Sequence, residues 1–199
     1  MKVFEGYRKY GILGYFTAAL GFFLTYLSKW FSFLMILGII LIGYGWYEVG
    51  DVENIDTAKI NGLILMLMIL TVFIGPFFVV ASGNLHNIVY IFYILIAIGV
   101  ISAIVNIATH FRVARKENIK YFEYSAYLRI ICMVLSVTVF LDLINKLSHF
   151  RNLKELLNIL NSGYNIWFGI ILLLYGIAYT LTVYGWTKLG ENQSKSNND

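Results

Sequence analysis

Six long stretches in which charge all but vanishes, at 10–28, 31–47, 62–82, 88–109, 127–144 and 164–186, restrict this chain to very few folds. Each is close to the roughly 20 helical residues that cross a hydrocarbon core of about 30 Å. Several are apolar on every side, so a soluble helix with one wet face does not describe them. Phe33-Leu34-Met35-Ile36-Leu37 shows no alternation, whereas the strands of a membrane barrel alternate apolar and polar residues. The pattern predicts an all-α polytopic membrane protein with six transmembrane helices arranged as three hairpins. Composition agrees, since only 13% of the 199 residues are charged, against about 25% in a soluble domain.

The polar connections near 48–61, 110–126 and 145–163 are too short for a further domain, so 1–190 reads as one membrane domain. The tail 191–199 has no apolar anchor and is expected to be disordered. With the N-terminus inside, eleven of the fifteen Lys and Arg residues fall on the inner side, where basic residues near span ends are retained. This predicts a multi-pass protein of the plasma membrane with both termini cytoplasmic. Asn192-Gln193-Ser194 has the form of a glycosylation acceptor but would never meet the external machinery. Lys2, Arg8 and Lys9 before an apolar run imitate a signal peptide, yet that run is too long and has no small-x-small cleavage site, so it is read as mature structure. In 147–161, Leu147, Phe150, Leu153, Leu157 and Leu160 recur at helical steps before Asn161-Ser162-Gly163. This predicts a short amphipathic helix lying at the outer interface.

Short sequences recur. Tyr44-Gly45-Trp46 ends the second span and Tyr184-Gly185-Trp186 the sixth; Glu53-Asn54-Ile55 follows the second and Glu117-Asn118-Ile119 the fourth. A parallel repeat of three hairpins explains this, and so does chance combined with shared interfacial chemistry.

The chain carries no pattern that points to catalysis, a cofactor or a metal. Gly43-Tyr44-Gly45-Trp46-Tyr47-Glu48 lacks the third glycine of a dinucleotide loop and sits at the end of an apolar helix rather than after a strand. His86, His110 and His149 are far apart, each near a span end or in a loop where a solvated or interfacial side chain is the ordinary explanation, and Cys132 reads as a packing residue. Intramembrane ionisable groups, the usual mark of a proton or solute path, are sparse. The nearest is Asp142, one turn from Lys146, which reads as an interfacial ion pair or as a contact in an outward cavity. Gly99, Ser102, Ala103 and Asn106 form a stripe of small and polar groups expected to pack against another helix. Gly75-Pro76 predicts a kink in the third span. Arg112, Arg115, Lys116 and Lys120, mixed with aromatics, fit anionic lipid headgroups of the cytoplasmic leaflet, and the net charge of +4 is too small to favour nucleic acid.

Glu5-Gly6-Tyr7-Arg8-Lys9, then Gly45-Trp46-Tyr47-Glu48-Val49 leading to Ile60-Asn61-Gly62-Leu63, and the closing Tyr184-Gly185-Trp186-Thr187-Lys188-Leu189 resemble small multi-span archaeal integral membrane proteins of unknown function, abundant in Crenarchaeota. The likeness covers most of the chain in hydropathy and few positions in identity. It implies an archaeal cell membrane and brings no catalytic residues to carry over. The expected function is therefore a non-enzymatic structural, assembly or partner-binding role, with membrane lipids and a protein partner or second copy of the chain as partners. The alternative is a small-solute carrier or the membrane subunit of a transporter. A polar cavity containing Asn106, Asp142 or Tyr93 would mark the carrier, and a filled core the structural role.

Overall fold

A computed structural model describes residues 2–25, 28–82, 87–149 and 164–196, with 154, 155 and 158. Among these residues lie six long helices: α1 (Lys2–Thr25), α2 (Ser32–Val52), α3 (Asp56–Ser82), α4 (Asn87–Glu117), α5 (Lys120–Leu147) and α6 (Tyr164–Ser196), with a 3-10 turn at Lys29–Phe31 before α2. No strand occurs among the described residues. Among the described residues four helical segments are long and apolar enough to cross a membrane: Ser32–Val52, Val89–Glu117, Lys120–Leu147 and Ile166–Leu189. The amphipathic helix expected over 147–161 lies mostly outside the described residues, as does His86. The backbone of α3 stays helical through Gly75-Pro76 to Ser82. The backbone of α6 runs on to Ser196, past the point at which the polar tail was expected to lose structure. An established helix extends at low cost, because nucleation is already complete and Glu, Gln and Lys are good helix formers.

Each helix packs on its chain neighbours and α6 packs back on α1, closing a ring in sequence order. Arg8 on α1 donates to the Thr187 carbonyl on α6 at 3.0 Å, so the two ends of the chain meet at one end of the bundle. The turns after α2 and α4 lie together, joined by Lys116, whose ammonium reaches the Glu53 carboxylate at 3.0 Å. Nearby, Asp51 bonds Lys59 at 2.7 Å and holds its ammonium above the usual lysine range.

Those two turns share one design. Asn54 and Asn118 have φ of 52° and 54°, the left-handed conformation that ends many helices. The next residue folds back in each case: the Ile55 amide donates to the Gly50 carbonyl and the Ile119 amide to the Ala114 carbonyl, both at 3.0 Å. Both isoleucines are buried. Asparagine suits the position because its short polar side chain tolerates the left-handed region better than other residues with a Cβ. The repeated Glu-Asn-Ile triplets are thus two copies of one helix stop, in which a backbone turn is locked by burying the isoleucine.

The backbones of α1 and α2 approach closely at glycines. A Cβ on Gly38 would meet the backbone nitrogen of Ala18 at 2.5 Å, and one on Gly14 the nitrogen of Ile42 at 2.6 Å. Such contacts need glycine, since apolar surface alone does not drive helices together in lipid and close backbone approach gains dispersion energy instead. The stripe expected to pack on α4 is divided. Ser102 and Asn106 are buried and Ala103 half-buried, but a Cβ on Gly99 would meet none of the described residues within 4 Å. Among the described residues Gly99 therefore mediates no close approach: helical spacing identified the stripe but not which of its residues a neighbour covers.

Candidate functional site

Near the end of the bundle that holds the two turns, aromatic and polar side chains converge on the ring's centre. Trp46 lies eight residues before Asn54, and His110 lies eight before Asn118. Trp46, His110 and Trp186 are all fully buried, with Trp46 5.3 Å from His110 and 5.0 Å from Trp186 between ring centroids. The recurrent span-end sequences of α2 and α6, and the equivalent position of α4, thus deliver one flat ring each to a common core. Tyr15 from α1 completes this core: it accepts the Trp46 indole proton at 2.6 Å and lies edge-on to His110 and Tyr179. Phe122 from α5 closes it, 6.1 Å from Trp46 and 5.7 Å from His110.

Beside the rings sits a buried cation. Arg129 is 5% exposed, and Ser125, one turn earlier on α5, accepts its Nε–H at 3.1 Å. Thr182 on α6 accepts from Nη2 at 3.3 Å. The guanidinium carbon lies 4.4 Å from the Tyr179 ring centroid and 5.5 Å from that of Tyr15, so two π faces supply the negative potential that a carboxylate would otherwise provide. Among the described residues no carboxylate lies within ion-pair distance of Arg129.

Hydrogen bonds extend the cluster across the ring. The Asn106 carbonyl can only accept, so the His110 Nδ1 that lies 2.8 Å from it carries the proton. In the neutral imidazole Nε2 is then an acceptor, facing Thr182 Oγ1 at 3.4 Å. Ser125 and Thr182 are 2.7 Å apart, and both reach the Ala178 carbonyl. Between α3 and α4, Asn106 Nδ2 donates to Asn61 Oδ1 at 3.3 Å and the Thr109 hydroxyl to the Thr57 carbonyl at 3.1 Å. Asn61 Nδ2 and Asn106 Oδ1 have no hydrogen-bond partner among the described residues. All six helices contribute a buried aromatic or polar group to this cluster.

The structure corrects two sequence expectations. His110 is buried among rings rather than solvated at a span end. Arg129, counted there with the basic residues of the inner side, belongs to the core. The signal available was its position: it falls within the fifth apolar run, with Ser125 and Cys132, both buried, about one turn to either side. Cys132 is buried, as expected of a packing residue.

The remaining candidates are dispersed. Asp142 and Lys146 pair at 3.0 Å on an exposed face of α5, Tyr93 is 51% exposed on α4, and neither Asp142 nor Tyr93 joins Asn106. Of the basic residues near the α4–α5 turn, Lys116 is engaged with Glu53, Arg112 bonds the Thr57 hydroxyl at 3.4 Å, and Arg115 and Lys120 are exposed. No three His, Cys, Asp or Glu residues gather as a metal set among the described residues. No protein family, curated protein or solved structure matches the chain.

Proposed function

We infer that this is a non-enzymatic integral membrane protein with a structural, assembly or partner-binding role, crossing the plasma membrane six times as three hairpins with both termini cytoplasmic. Lipid, anionic headgroups included, surrounds it, and its macromolecular partner is another membrane protein or a second copy of itself. The reading rests on one observation: the buried polar groups bond to each other and to packed rings, while the polar residues able to line a solute path are scattered. Polar groups that bond mainly to one another in this way support a role in fixing which helix faces meet. The test is isolation from native membranes in mild detergent with mass measurement of the particle. A stoichiometric complex, with itself or with another chain, is expected; a lone monomer overturns the reading.

A second reading, a carrier of anionic solutes, draws on Arg129, a buried cation without a carboxylate partner among the described residues. Uptake of chloride, phosphate and short carboxylates into proteoliposomes tests it. Flux that disappears in Arg129→Met would replace the structural reading with this one.

A further inference from the structure

Between α4 and α5, at the basic end, lies an open hollow of about 500 Å³ lined by Ala108, Phe111, Arg112, Arg115 and Tyr127. The four α4 residues lie on one face, and the same stripe continues away from the arginines through the exposed Ile104 and Ile101. On α5 the exposed Ile131 and Val134 continue from Tyr127 in the same direction, because the helices are antiparallel neighbours. The hollow itself is cationic, and a strip of exposed apolar residues on the two helices runs on from it. Phe111 braces Tyr127 edge-on at 5.2 Å, and the Tyr127 hydroxyl reaches the Glu123 carboxylate at 3.4 Å. Two guanidinium groups against one carboxylate leave a net positive charge.

The corresponding positions of α2 and α6 show what is missing here. Ala108 lies ten residues before Asn118, as Tyr44 lies ten before Asn54, and two residues before His110, as Tyr184 lies two before Trp186. Tyr44 and Tyr184 are both exposed, and each lies against a neighbouring tyrosine, Tyr10 and Tyr121 respectively. On α4 alanine stands in this place, and a ring-sized volume beside two arginines stays open.

We propose that this hollow seats one anionic phospholipid, with the phosphate between Arg112 and Arg115 and an acyl chain running over Ala108 toward Ile104. Guanidinium groups match phosphate oxygens in a planar, bidentate geometry, and the apolar strip distinguishes a lipid from a free phosphate. The proposal rests on the chain being a membrane protein and names one of its partners.

Native mass spectrometry of the full chain in non-ionic detergent, with added phosphatidylglycerol or phosphatidylcholine, tests it. Preferential retention of phosphatidylglycerol is expected. Arg112→Gln with Arg115→Gln should lower that retention about tenfold or more, the equivalent of one lost charge-assisted contact. Ala108→Tyr, which restores the residue type of the other two hairpins and keeps both arginines, should lower it as well, and decides the matter if the arginine variant does not fold. Inorganic phosphate should not displace the lipid. Equal retention of the two lipids, indifference to Ala108→Tyr, or displacement by phosphate would each overturn the site. None of those results touches the structural reading, which fails instead on the monomer test.

Discussion

Arg129 places a full charge inside an apolar bundle, where desolvation costs several kcal/mol that two hydroxyls and two tyrosine faces only partly offset. If its role is packing, Arg129→Met should leave the thermal midpoint in detergent unchanged or raise stability by up to ~4 kcal/mol, because an apolar side chain of similar volume avoids that cost. Arg129→Lys should lower stability by roughly 1–2 kcal/mol, since a compact ammonium loses both the stacking and the fork of donors. A Met variant less stable than the Lys variant would show the charge itself to be structurally required. At the two helix stops the backbone decides. Asn54→Val or Asn118→Val should cost about 1–2 kcal/mol by placing a branched Cβ at a left-handed φ, and Asn→Gly at either site should be tolerated. Equal midpoints for the valine and glycine variants would rule out strain at these positions.

Among elements, the seam between α1 and α2 leaves no room for a side chain at its glycines. Gly38→Leu has no space beside the Ala18 backbone and should destabilise by roughly 1–3 kcal/mol through overpacking. Gly99→Ala points into open space and should be neutral or gain up to about 1 kcal/mol from helix propensity. Thermal melts of the two variants side by side check the ranking, and the opposite order would mean that the helices pack elsewhere. The elements were largely legible beforehand: the apolar runs at 31–47, 88–109, 127–144 and 164–186 lie, to within a residue or two, inside helical segments apolar enough to cross a membrane, because such runs satisfy their backbone only as helices. The Glu-Asn-Ile triplets were visible as well, but not as turns, since φ at Asn54 depends on Ile55 finding a buried seat.

For the molecule as a whole, the Arg8 to Thr187 bond sets both chain ends at the end of the bundle that carries the two turns. Reporter fusions at the two termini should therefore give the same side, the cytoplasmic one if the charge bias governs insertion, with Asn192 never glycosylated. Opposite sides would mean an odd number of crossings. The order of apolar runs and the scarcity of charge were enough to establish an all-helical chain with helices long and apolar enough to cross a membrane, because hydrophobicity and length are local properties of the chain. The sequence could not disclose that Trp46, His110 and Trp186 meet, that Arg129 is buried between Tyr15 and Tyr179, or that Gly99 faces open space while Gly38 does not. Each of these depends on which face of a helix turns inward, and when every face is apolar only the closing of the ring makes that choice.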